Sequence, residues 1–229
     1  MKTIFFAATA VMVITCAGFL NCKSSSTNQK QIPGGTQVTD KPEVLTNDQI
    51  AAFQEKLKTI EAVPVEDGEI AIIETNFGTI KFKFFTKEAP NHCANFKKLA
   101  NSGFYDWTTF HRVIPGFMIQ SGDIYSKNDN PADDGTGTPG YMVNAEFSKI
   151  PHKRGIVSMA RRGDNINSAG SQFFIVVAPE YPSLDGQYSV FGEVTEGMDV
   201  IDKIVSVPRN ESDRPFENVY MKKVRVVKQ

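Results

Sequence analysis

The chain has 229 residues, 41% of them hydrophobic and 22% charged, with a formal net charge of −1. That length suits one ordinary domain with a real apolar core, or two small ones, and the composition excludes wholesale disorder. The balanced charge leaves no basic footprint, so nucleic acid is set aside as a partner; seventeen Phe against one Trp point to a core built on phenylalanine.

Residues 1–22 stand apart from the rest. A short positive start, Met1-Lys2, leads into an apolar run from Ile4 to Leu20 that has the pattern of an export signal. The run ends in Phe19-Leu20-Asn21-Cys22 and is followed at once by polar residues, which resembles a lipoprotein signal. Cys22 would then be lipidated and become the first residue of a mature, membrane-anchored protein on the periplasmic or cell-surface side. An ordinary signal cut near Ala17-Gly18, or an uncleaved anchor, is the alternative. Cys16 lies inside this segment, so only Cys93 remains beyond Cys22, and no disulfide can staple the fold. Cys93 is expected to be a small buried hydrophobe.

Residues 23–45 are Ser, Thr, Asn, Gln, Lys, Pro and Gly with almost no apolar periodicity, and read as a flexible linker. Over 46–64, Thr46-Asn47-Asp48 is a helix start, and Ile50, Phe53, Leu57 and Ile60 share one face of an amphipathic helix. From residue 66 onward the period shortens. Ile70 and Ile72, then Ile80, Phe82 and Phe84, alternate with polar residues around the turn Asn76-Phe77-Gly78, as in a strand pair. Lys87 to Asn101 is helix-like, with Pro90 near its start and Gly103 beyond its end. Further strands are expected at 109–114, 118–120, 155–159, 172–177, 189–194 and 220–227, with a second helix at 198–204. Many strands and two separated helices fit a mainly β, closed barrel capped by helices.

Three stretches carry a family resemblance. The first is Phe110-His111-Arg112-Val113-Ile114-Pro115-Gly116-Phe117-Met118-Ile119-Gln120-Ser121-Gly122-Asp123. The second is Gly155-Ile156-Val157-Ser158-Met159-Ala160, then Asn167-Ser168-Ala169-Gly170-Ser171-Gln172-Phe173-Phe174-Ile175. The third is Leu184-Asp185-Gly186-Gln187-Tyr188-Ser189-Val190-Phe191-Gly192. In order and spacing they resemble the cyclophilins over residues 66–229. The resemblance implies an eight-stranded antiparallel barrel closed by two helices, and isomerisation of X–Pro peptide bonds without metal or organic cofactor. The partners implied are proline-containing peptides and unfolded or exported proteins.

That chemistry suits the residues. Rotation about an X–Pro bond breaks amide conjugation, a barrier of roughly 18–20 kcal/mol, and no covalent bond is made or broken. A catalyst needs an apolar grip on the ring and a donor that favours the twisted state. Arg112, always charged and forked, is the candidate donor, with Gln120 as its catalytic neighbour. By the resemblance, Phe117, Met118, Phe174 and Leu184 line the proline pocket, while Gln120 and Gln172 orient Arg112 and the substrate backbone. Ala160 and Arg161 follow the peptide groove, and Tyr188 stands at its far rim. On residue type alone, Arg112 could equally lie on a solvated strand face, and the Phe and Met residues could simply fill a core.

His111 is read as structural, because no proton transfer is needed, and alternation turns it away from Arg112. His92 and His152 have no partners at metal-ligand spacing and read as surface residues; the acidic loop 128–134 lacks a calcium pattern and reads as solvated. Two departures from the family stand out. Ser183 replaces the tryptophan that often precedes Leu184, so weak cyclosporin binding is expected. Arg161-Arg162 puts two positive charges on the groove, which would favour acidic flanking residues.

Overall fold

The computed structural model describes residues 43–229. The leader expected at 1–22, its Cys22, and the linker as far as residue 42 lie outside the described residues.

Helix α1 (Asn47–Lys58) begins where its capping signal stands. The Gln49 N–H donates to Thr46 Oγ1, and the Thr46 N–H donates to Gln49 Oε1, which satisfies two otherwise orphaned donors. Ile50 and Leu57 are buried in the main core, and Phe53 stacks on Phe104 with ring centroids 6.1 Å apart. The helix is therefore docked on the barrel along the face its spacing predicted.

Strands β1 (Glu69–Thr75) and β2 (Gly78–Phe84) form the first hairpin. The pairing is the one expected from the sequence. The core side of β1 carries Ala71, Ile73 and Thr75, whereas Ile70 and Ile72 are only half-buried on the outer side. Both faces of β1 are apolar, so period two alone does not choose between them.

Helix α2 (Pro90–Asn101) has Pro90 in its first turn but no side-chain cap from Ala89. A distant carboxylate supplies one instead: Glu146 accepts from the backbone N–H groups of Asn91 and His92 and from the Asn91 side chain, at 2.8–3.1 Å. After Gly103, which takes φ +78°, the chain enters β3 (Thr108–Thr109), β4 (Arg112–Ile114) and β5 (Met118–Ser121). Then follow β6 (Ile156–Met159), β7 (Phe173–Val176), β8 (Val190–Glu196), α3 (Met198–Val205) and β9 (Tyr220–Lys228), with a 3-10 turn at Pro182–Leu184.

All pairings are antiparallel, in the order β3-β9-β1-β2-β8-β6-β7-β5-β4. The two ends of this order are consecutive in the chain, separated only by Phe110 and His111. One stretch thus pairs with β9 on one side and β5 on the other, and the sheet curls until its lips meet there. The single strand expected over 109–114 is two short ones, so nine strands stand among the described residues where eight were expected. The seam is bridged by single hydrogen bonds, from Phe110 N–H to the Val219 carbonyl and from Val113 N–H to the Asp213 carbonyl, each 2.8 Å.

Strand alternation splits the apolar residues into two clusters. Inward-facing Val113, Ile119, Val157, Met159, Phe173 and Ile175 join the main core. At its centre Phe96 of α2 meets Phe82, Tyr105, Phe173 and Phe191 at centroid distances of 4.9–5.5 Å. Outward-facing Met118, Ile156, Phe174 and Val176 form a second, smaller cluster with Leu184 and Val190 on the outer wall of the barrel.

Three polar expectations also change. His92 and His152, read as surface residues, are both buried, at 0% and 1% exposure. His92 lies on the inner face of α2 beside Cys93, which is itself buried as expected. Asp134, expected in a solvated loop, is shielded and pairs with Arg214 at 2.8 Å. Arg214 is remote from Asp134 in sequence, so spacing along the chain cannot reveal that pair.

Candidate active site

The outer cluster is where the expected site residues converge. Register places Arg112 of β4 opposite Gln120 of β5, and Gln120 in turn opposite Phe174 of β7. Met118 lies two residues before Gln120 and so projects from the same face. Gly116, with φ +72°, turns the chain between β4 and β5, where the Phe117 N–H donates to the Ile114 carbonyl. Leu184 ends the 3-10 turn on the far side. Together Arg112, Phe117, Met118, Gln120, Phe174 and Leu184 line a notch of about 200 Å³, with Ala160, Arg161 and Tyr188 on its remaining edge. The aromatic and aliphatic side chains named from the sequence therefore do not fill the barrel; they wall a cleft on its outside.

Gln172 does not line this notch. It faces a neighbouring cleft of about 490 Å³ that shares Gln120, Ala160 and Arg161 with the first. Its amide nitrogen donates to the Gly135 and Gly137 carbonyls, and its oxygen accepts from Gln120 Nε2 at 2.9 Å. Gln120 is thus held by Gln172 rather than by Arg112, which corrects the expectation that these amides orient the arginine. The nearest carboxylate to the guanidinium is Asp213, 4.0 Å from Arg112 Nε. Arg112 is 44% exposed, so its charge meets whatever enters the cleft.

Arg161 is fixed rather than free. Its Nε donates to the Gln187 carbonyl, its Nη1 to the Arg162 carbonyl, and its guanidinium lies 4.9 Å from the Tyr188 ring centroid. On the apolar side, Phe117 packs on Tyr181 at 4.3 Å. Behind Phe174 the His152 ring stacks at 6.1 Å, with Nδ1 at 2.9 Å from Asp185 Oδ1 and Nε2 at 3.1 Å from Ser158 Oγ. Burial lowers the His152 pKa against the opposing pull of Asp185, and the hydrogen bonds from His152 hold the Asp185 carboxyl below its usual range. Ser158 is buried, so this Ser-His-Asp chain braces the wall of the notch and offers no nucleophile to solvent. Sequence reasoning missed this brace and the Asp213 contact, for which no local motif exists. His111 lies outside the notch, its ring beside Gly135.

Comparison with known proteins agrees with this geometry. The profile of the family described as cyclophilin type peptidyl-prolyl cis-trans isomerase/CLD matches residues 70–226. A peptidyl-prolyl cis-trans isomerase of Synechococcus elongatus is 47% identical over 140 residues, covering 61% of this chain and 88% of that protein. A peptidyl-prolyl cis-trans isomerase-like 1 of Neurospora crassa is 42% identical over 164 residues, covering 69% and 93%. Among solved structures, a Cryptosporidium parvum cyclophilin type peptidyl-prolyl cis-trans isomerase in the presence of the dipeptide Ala-Pro matches with a TM-score of 0.64. It is 32% identical and covers 70% of this chain and 99% of that one. With the match running from the first full strand of the barrel to its last, the chain belongs to the cyclophilin-type peptidyl-prolyl cis-trans isomerases and is an enzyme of that activity.

Proposed function

We propose that the notch beside Arg112 grips the proline ring of an X–Pro bond and that Arg112 lowers the barrier to its rotation. As the amide twists, the proline nitrogen loses conjugation and regains a lone pair. A guanidinium N–H aimed at that nitrogen stabilises the twisted state more than either planar one, which is the condition for catalysis. Met118, Phe174, Leu184 and Phe117 supply the apolar seat, and Gln120, anchored by Gln172, is placed to bond the substrate backbone. The single observation that carries this reading is that Arg112 shares one notch with Phe117, Met118, Phe174 and Leu184.

The adjoining cleft lies along the same groove, so a residue flanking the proline would reach it, and Arg161 and Arg162 would favour an acidic one there. Cyclosporin-type inhibitors would bind weakly: Ser183 stands beside Leu184, and the only tryptophan, Trp107, packs edge-on against Tyr220 rather than lining the notch. The cellular role we assign is the folding of exported proteins by an enzyme tethered to a membrane through Cys22 and the polar linker. The apolar leader and the cysteine at its end support that role, and acyl chains on Cys22 in the mass spectrum of the mature N-terminus would test it.

The assay for the mechanism is cis–trans isomerisation of a proline-containing test peptide. Arg112→Ala is expected to lower kcat/KM by about 10²–10³-fold, the range for removing one aimed donor. Equal rates for the variant and the parent protein would reject the assignment.

A further inference from the structure

Arg112 needs something to hold its guanidinium toward the notch, and the amides expected to do so make no hydrogen bond to it. Gln120 donates to Gln172, and Gln172 donates to the Gly135 and Gly137 carbonyls. The terminal nitrogens of Arg112 donate to no group among the described residues, whereas its Nε edge faces Asp213 Oδ2 at 4.0 Å.

Asp213 is held in an unusual way. Its φ is +61°, in the left-handed region that costs a non-glycine residue energy and persists only where the surroundings over-determine it. The surroundings do so. The Asp213 N–H donates to the Asn210 carbonyl at 3.0 Å, and the Asp213 carbonyl accepts from the N–H of Val113, the residue next to Arg112. Asn210 Oδ1 accepts from the N–H groups of Ser212 and Arg214, a backbone bridge joins Arg209 to Pro215, and Arg214 pairs with Asp134. The loop is thus closed on itself around Asp213, and Asp213 itself is tied to β4 through Val113. Its carboxylate lies between two cations, Arg112 and Arg209, the latter 3.4 Å away.

We infer that Asp213 is a positioning residue for the isomerase reaction: it engages the Nε edge of Arg112 and leaves the two terminal nitrogens turned to the notch. This rests on the catalytic role given to Arg112 above. The backbone link through Val113 fixes the carboxylate relative to the very strand that carries the arginine, so the pair keeps its register when a peptide enters.

The test compares kcat, KM and thermal midpoint for Asp213→Asn, Asp213→Gly and Arg112→Ala, and for Asp213→Asn combined with Arg112→Ala. Asn and Gly both tolerate the left-handed backbone, so the loop is retained while the charge is removed. The expected result is a fall in kcat of about three- to tenfold in both Asp213 variants with KM unchanged, as for a misaimed catalytic group. No further loss is expected when Asp213→Asn is added to Arg112→Ala. Wild-type kcat in the Asp213 variants, while Arg112→Ala is disabled, would overturn the inference and leave the role of Arg112 standing. An equal loss from Asp213→Asn with and without Arg112, or a change confined to KM, would overturn it as well. Wild-type activity in Arg112→Ala would remove both readings together.

Discussion

Replacing His111 with phenylalanine is expected to make the protein more resistant to acid. The imidazole is 7% exposed, and neither ring nitrogen has a hydrogen-bond partner. Burial above all, then the Arg112 and Arg214 guanidiniums, push its pKa down from 6.5 to about 4, with the Thr109 backbone pulling weakly the other way. Folded His111 therefore stays neutral where the unfolded chain would protonate. Its contribution is intact above pH 6.5 and is lost as the pH falls from there toward 4. Linkage from these two pKa values gives a loss of about 2 kcal/mol between pH 7.5 and pH 5. In a domain of this size that is about 4–8 °C in Tm. Phenylalanine has a similar shape, so the substitution removes the titration while keeping a ring in the same buried space. The measurement is Tm of both proteins from pH 7.5 to pH 5. His92, His152 and Asp123 titrate in both and cancel in the difference, which should widen in favour of the variant by those 4–8 °C. Parallel curves would show that the imidazole is charged or hydrated in the folded state, and would refute the reasoning.

Phe96→Ala should cost about 3–5 kcal/mol in denaturant unfolding, because Phe96 is fully buried and its removal empties the centre of the aromatic cluster. Glu146→Ala should cost about 1–2 kcal/mol, since three donors at the start of α2 lose their acceptor; Glu146→Gln, which keeps one oxygen, should recover part of that in the same titration.

The parts of the fold that could be read in advance are those written in local chemistry. The capping box at Thr46 and Gln49, Pro90 at the start of α2, and the glycine after its end mark helix limits through groups a few residues apart. The site was legible for another reason: Arg112, Phe117, Met118 and Gln120 lie on one short segment, and Phe174 and Leu184 in two others whose order resembles a known family. What escaped was decided by pairing at a distance. Which face of β1 turns inward depends on its neighbours β2 and β9, since both faces are apolar. Residues 109–114 look like one strand, yet the crossing of the seam divides them. His152 gave no hint of burial because Asp185 and Phe174, which flank its ring, lie far from it in sequence. Gln120 and Gln172 were expected to serve Arg112, but Gln120 donates to Gln172, whose own nitrogen donates to the carbonyls of the remote Gly135 and Gly137.

The lips of the sheet, β3 and β4, are two and three residues long and adjoin each other. An extended foreign polypeptide finds no rim there on which to add itself as another strand. The closed seam therefore withholds one template on which aggregating chains could grow. On the reading proposed above, what the barrel offers a peptide is the side-chain notch beside Arg112 and not a free backbone edge.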